Sequence, residues 1–157
     1  MYGAKWSHSR SGLAEPLDHR LGANSEVFAV NDLVCYASGF LEVVDHVTSD
    51  RIVGICKKAV TMSATNQTVA KVQVPFIPLT VDDEFEMDLD AAATEANVGQ
   101  FFQLAGLATG AQQVSFASAS ATVGQVVLTK LDPRGEGSTT RGLFKLAMPL
   151  QAFEPET

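Results

Sequence analysis

The sequence has few of the residues on which many binding functions depend. In 157 residues it has two cysteines, one tryptophan and two tyrosines, and no Lys or Arg stands between Lys71 and Lys130. A nucleic-acid surface needs clustered cations that displace counterions from phosphate, and an anionic membrane surface attracts the same residues. Because the net charge is also −7, we predict a protein that binds neither nucleic acid nor membrane.

Long apolar runs are also missing. No run approaches the roughly 20 residues of a membrane helix, and the start MYGAKWSHSRSG lacks the apolar segment of a signal peptide. We therefore expect a protein that is synthesised and stays in a cytoplasm. Cys35 and Cys56 lie in apolar runs, so the interpretation is two small buried thiols, with a disulfide as the less favoured alternative.

The usual catalytic and metal-binding motifs are absent from the sequence. It contains no G-x-S-x-G elbow, no P-loop, no H-E-x-x-H pair and no C-x-x-C, and its histidines, His8, His19 and His46, are widely spaced. We therefore predict no catalytic residue, no metal site and no cofactor, and a protein that is not an enzyme.

The densest cluster of reactive groups is the stretch DDEFEMDLD at 82–90. Its apolar residues, Phe85, Met87 and Leu89, alternate with acids, a period of two that is typical of a strand with one buried and one wet face. A calcium loop is one alternative, but the glycine it requires is Ala91; a pair of glycosidase carboxylates is another. We expect a solvated acidic face.

The rest of the chain reads as short strands separated by turn signals. Ser38 and Gly39 between two β-rich runs predict a tight hairpin, and Pro75 and Pro78 indicate a strand that ends or lies at a sheet edge. AAATEAN at 91–97 predicts one short helix, and DPRGEGSTTRG predicts an exposed loop. The expected fold is therefore mainly β, a single β-barrel or compact sandwich.

Residues 1–25 keep neither a helical nor a strand period, so we predict an extended N-terminal arm followed by a β-rich domain at 26–157. The alternative is an arm that folds back on its own domain. Large apolar, aromatic and basic side chains dominate protein interfaces, and loop arginines can project toward a partner. The predicted partner-contact residues are Tyr2, Trp6, Arg10, Leu13, Leu17, Arg20, Arg134 and Arg141.

Three segments carry a resemblance to a known family. AVNDLVCYASGFLEVVDHVTSDRIVGICKKAV contains a strand of the form x-I-V-G-I-x, ANVGQFFQLAG contains a V-G-x-x-x-x-L step, and VVLTKLDPRGEGSTTRGLFKLAM contains an L-D-P turn before a final strand. In pattern and order, residues 27 to 150 resemble the head decoration proteins of tailed bacteriophages, also called capsid cement or auxiliary capsid proteins.

The resemblance implies a structural virion protein with a β-barrel or β-tulip-like domain. Such a protein binds the outer surface of the capsid, commonly as a homotrimer, contacts the major capsid protein and stabilises the shell against the pressure of packaged DNA. Two alternatives stay open: a phage tail or baseplate β domain, and a β module that binds a small ligand or carbohydrate. For the last, Phe101, Phe102 and Phe116 would line the pocket rather than pack in the core.

Overall fold

The computed structural model describes residues 3–9, 17–45, 50–107 and 111–147. The described strands, in chain order, are β1 (Lys5–Ser9), β2 (Asp18–Leu21), β3 (Val27–Phe28), β4 (Leu33–Ala37), β5 (Phe40–Val43), β6 (Ile52–Cys56), β7 (Val60–Thr61), β8 (Gln73–Pro78), β9 (Asp83–Asp88), β10 (Phe101–Ala105), β11 (Gln113–Ser120), β12 (Val126–Leu131) and β13 (Arg141–Leu146). In the described ranges an α-helix, α1, spans Ala64–Thr68, and a 3₁₀ turn spans Glu95–Asn97.

The strands form two stacked antiparallel sheets and a small ribbon. The large sheet has the order β1-β9-β13-β12-β10-β11, the small sheet has the order β2-β8-β6-β4-β5, and β3 pairs with β7. The mainly β class is thus confirmed. The sheets are open, so the fold is sandwich-like and not a strict barrel, although single parallel bridges join Gly22 to Leu41 and Leu89 to Val114.

The main core lies between the inner faces of the two sheets. Phe85 and Met87 of β9 are completely buried there, and the rings of Phe102 and Phe144 meet edge to face with centroids 6.3 Å apart. Burial of apolar area is the dominant favourable term in folding, so the strict alternation along β9 is explained by this inner face.

The small sheet is buried on both of its faces. Val34, Val74 and Phe76 point away from the main core and form a second cluster with Phe28 of β3 and Met62, which follows β7. A strand that is covered on both faces reads as a continuous apolar run. This explains why LVCYA and IVGIC show no alternation of polar and apolar residues.

The described parts of the predicted arm pair with the same chain. β1 is an edge strand of the large sheet, antiparallel to β9 with Trp6 opposite Phe85, and β2 is an edge strand of the small sheet, antiparallel to β8. These residues follow the alternative in which the segment folds back on its own domain. The division at residue 25 into arm and domain stays a prediction.

The predicted helix over 91–97 is reduced to a single 3₁₀ turn. The side chain of Asn97 accepts a hydrogen bond from the Thr94 amide at 2.8 Å, and Val98 is already extended, so the turn closes on itself and ends. The short helix forms instead at Ala64–Thr68, where the Ser63 hydroxyl accepts from the Asn66 amide as an N-cap.

The position of β8 corrects the edge-strand alternative for the two prolines. β8 ends at Pro78 as predicted, but it lies between β2 and β6 rather than at an edge. The Pro75 carbonyl accepts from the Lys57 amide, one residue past the end of β6. A proline is tolerated here because its missing N–H faces Lys57, where the pairing of β6 with β8 has already ended.

One buried amide side chain ties the sheets together. Gln112, 1% exposed, accepts from the Leu33 amide at 2.6 Å through Oε1 and donates to the carbonyls of Leu33 and Val44 at 3.2 and 3.1 Å through Nε2. Its own carbonyl accepts from the Gly3 amide at 3.0 Å. The start of β11 is thereby joined to β4 and to the N-terminal segment.

We expect Gln112→Leu to lower the free energy of unfolding by about 2–4 kcal/mol, because the Leu33 amide and the Val44 carbonyl lose the Gln112 side chain inside the core. Urea unfolding measures the difference. Gln113→Leu is the matched control, since that side chain is only half buried. Equal stability of the two variants would contradict the role assigned to the Gln112 amide.

Candidate functional site

The acidic stretch lies in the interior of the large sheet and not on a free face. β9 is paired on one side with β1 and on the other with β13, and Asp83, Glu84 and Glu86 are 4%, 7% and 8% exposed. The expectation of a solvated acidic face is therefore wrong. The alternation is real, but the acids at 83–86 are buried and Asp88 is half buried, and only Asp82 and Asp90 of the stretch are exposed.

Two arginines from the end of the chain compensate the buried acids. Arg134 Nη2 lies 2.7 Å from Glu86 Oε1, and Arg141 Nε lies 3.1 Å from Asp88 Oδ1 and 3.4 Å from Glu86 Oε1. Arg141 Nη1 also lies 3.3 Å from Glu136 Oε2. The hydrogen bond to Asp88 raises the pKa of Arg141 above its ordinary value.

The loop between β12 and β13 is shaped so that Arg134 reaches the acids. Asp132, with φ of +46°, accepts hydrogen bonds from the amides of Glu136 and Gly137 at 3.0 and 2.7 Å. This side-chain capping folds 132–137 into a compact turn. The predicted loop is thus present, and its arginines are engaged by the same chain.

The outer face of the large sheet continues beyond the ion pairs as a shallow apolar depression. This open depression of about 350 Å³ is lined by Val81, Asp82, Phe101, Val127, Lys145 and Leu146. Phe102 is buried in the core and Phe116 is half buried against it, so of the three phenylalanines it is Phe101 that lines the depression. We call this region, with Arg134 and Arg141, the outer sheet face.

The structure brings Arg134 and Arg141 together at Glu86 but separates the other predicted contact residues that it describes. Trp6 is half buried and packs against the main core, while Leu17 is 57% exposed. The guanidinium of Arg20 lies 5.5 Å above the ring of Tyr36. Tyr2, Arg10 and Leu13 lie outside the described residues.

Tyr36 was missed as a candidate because nothing in its neighbourhood distinguishes it from a core position. The alternation in LVCYA places Tyr36 on the same side as Val34, but the preference of tyrosine for interfaces applies only if the ring is accessible. Only the fold shows that Tyr36 is 45% exposed and lies next to Arg20, because Gly22 at the end of β2 bridges to Leu41 of β5, the hairpin partner of β4.

Both thiols are buried and free, as predicted. Burial raises the pKa of Cys35 to about 12 and that of Cys56 to about 11, and the Cys56 thiol donates to the Lys58 carbonyl at 3.1 Å. Since the thiolate is the reactive form, these side chains act as small core residues.

Acids also gather at one end of the small sheet. Burial raises the pKa of Glu26, and the neighbouring charges of Glu42 and Asp45 raise it further. Burial likewise raises the pKa of Asp32, whose carboxylate accepts from the Ala29 amide at 2.7 Å. Among the described residues no group of three or more His, Cys, Asp or Glu side chains is placed to hold a metal ion.

Within the described ranges there is also no helix of the length and apolarity that crossing a membrane requires.

Comparison with known proteins adds no relative: no protein-family model matches the chain, and no curated protein matches it significantly. The geometry of the surfaces therefore carries the functional argument.

We expect Arg141→Gln to lower the midpoint of urea unfolding more than Arg134→Gln, because Arg141 contacts three carboxylates and Arg134 contacts one. Removing either cation leaves covered acids with fewer partners. Both differences from wild type should shrink in 1 M NaCl, which screens the exposed part of the network. A larger effect of Arg134→Gln would contradict the order.

The raised pKa of Glu26 predicts a pH effect. The folded state holds this proton at a pH where the unfolded chain, with its ordinary value of 4.5, has lost it. Stability of wild type relative to Glu26→Gln should therefore rise as the pH falls from 7 to about 4.5. Urea unfolding at several pH values measures this, with Glu95→Gln, an exposed acid, as the control; a difference that is constant with pH would contradict it.

Proposed function

We propose that this protein is a structural virion protein, a decoration or cement protein that binds the outer surface of a bacteriophage capsid and stabilises the shell against internal DNA pressure. On this proposal it is not an enzyme, it associates with itself as a homotrimer and it contacts the major capsid protein. The three segments that resemble head decoration proteins support the proposal, and so does the mainly β body that they imply.

The observation that carries the proposal is the shape of the outer sheet face. Apolar and charged groups are spread there over a broad sheet with one open depression, whereas small-ligand sites are concave and converge a few polar groups on one point. A surface with an apolar centre and a charged rim is typical of protein–protein contacts. The acidic body also suits a particle exterior rather than contact with DNA.

The positions of β1 and β2 change how this proposal is tested. Deletion of residues 1–25 would remove one strand from each sheet, so loss of binding by the truncated chain would report unfolding. Trp6→Ala would damage the main core for the same reason. Surface substitutions in the full chain are the informative variants.

We expect full-length protein to bind expanded phage heads stripped of auxiliary proteins, and Phe101→Glu to weaken this binding at least ~10-fold, about 1.4 kcal/mol, because a charge enters an apolar contact. Cosedimentation over a panel of heads measures the affinity, and electron microscopy locates the density.

Val69→Glu is the control, because Val69 is 76% exposed beside α1 and lies outside the outer sheet face. Thermal unfolding verifies that both variants are folded. If the protein bound none of the heads in the panel, the proposed function would be refuted. Density on the tail alone would show that it is a tail protein instead.

A further inference from the structure

The side chains of Arg20 and Tyr36 form an ordered pair on the small sheet. The Arg20 guanidinium stands 5.5 Å from the centroid of the Tyr36 ring, and this ring meets Phe76 of the second apolar cluster edge to face at 6.5 Å and 89°. Tyr36 is thus fixed from below by a buried residue and carries the cation on its exposed side. Because stacking on an aromatic ring already orders the guanidinium, little more side-chain entropy is lost when it binds a partner.

Arg20 differs from Arg134 and Arg141 because its N–H donors have no carboxylate partner in the described chain. Arg134 and Arg141 are engaged by Glu86, Asp88 and Glu136, whereas no carboxylate of the described chain lies within ion-pair distance of Arg20. The nearest acid in sequence, Asp18, accepts from the His19 amide instead. A planar fork of N–H donors is therefore presented to the outside.

The main chain of β2 directs a partner toward these side chains. The Pro75 carbonyl points to Lys57, so the main-chain groups of its partner His19 point away from β8, to the side on which Gly22 bridges to Leu41 of β5. The Asp18 carboxylate accepts a hydrogen bond from the His19 amide at 2.7 Å. Because this amide is already paired, a partner cannot add a strand to β2 at this point and would contact the side chains instead.

The accessible groups here have the composition of an interface anchor. Tyr36 is 45% exposed, and Leu17, directly before β2, is 57% exposed. Tyrosine and arginine are the residues most enriched where binding energy concentrates. The Tyr36 ring also shields one side of the guanidinium from water, which strengthens a pair with an incoming anion.

We propose that Arg20, stacked on Tyr36, is the receptor for a carboxylate side chain of a partner protein. A carboxylate matches the guanidinium fork with two parallel hydrogen bonds. A polyanion is disfavoured because the chain has a net charge of −7, whereas one acid beside an apolar residue meets little repulsion. The identity of this partner as the capsid shell protein rests on the proposed function.

The first test uses the same stripped phage heads. We expect Arg20→Gln to weaken binding about 10-fold, and Arg20→Lys to weaken it nearly as much because an ammonium lacks the planar fork. Tyr36→Leu should weaken binding about 3-fold by removing the platform. Arg51→Gln is the control, an exposed arginine outside the pair; equal losses for Arg20→Gln and Arg51→Gln would overturn the inference.

The second test does not require a capsid. A peptide array pairs each Glu-Phe or Glu-Leu sequence with its Gln-substituted and phosphoserine-substituted versions, and the full-length protein is the probe. Enrichment on the Glu peptides that Arg20→Gln abolishes supports the receptor even where no head binds wild type. Preference for phosphoserine, or binding that is unchanged in the Gln peptides, overturns it.

Discussion

Burial of carboxylates in an interior strand is the constraint on which the large sheet depends. β9 sends Phe85 and Met87 into the core, so Glu84, Glu86 and Asp88 face the other side, where arginine side chains lie over Glu86 and Asp88. Removing an acid from water is costly unless it is paired. Glu86 therefore needs a nearby cation. Arg141, the first residue of β13, and Arg134, in the turn before β13, both contact it. The loop conformation and the strand order therefore satisfy one electrostatic requirement.

Aspartates protect the sheet edges in a similar way. At the edge of the large sheet, Asp90 accepts from the Phe116 amide at 2.7 Å and donates its own amide to the Val114 carbonyl, which occupies the outer side of β11. β11 is further interrupted by a bulge opposite β10. At the edge of the small sheet Asp18 has the corresponding role at His19. Such devices prevent edge-to-edge association, so the faces of the sheets and not their edges remain for specific partners.

The sequence predicts what depends on local periodicity and fails where distant residues decide. The mainly β class, the hairpin at Ser38 and Gly39, and the buried thiols follow from patterns within a few residues. The burial of Glu86 does not, because its cation is supplied by Arg134, far along the chain, and an acid that alternates with apolar residues looks the same whether water or arginine covers it. The role of Gln112 could not be predicted from the sequence either, because its partners at Leu33 and Val44 are main-chain groups, which every residue carries.

The first segment of the chain unites folding and recognition. A sequence without period reads as a separate arm, yet its described parts supply an edge strand to each sheet, so their stability is that of the whole fold. β2 lacks a period of two because three of its four side chains are exposed, and in β1 Trp6 is the apolar residue that packs against the main core. This arrangement gives an exposed residue on β2 the rigidity of the body beneath it. A side chain such as Arg20 can then meet a partner without the loss of entropy that ordering a free arm would impose, because folding has already fixed its backbone.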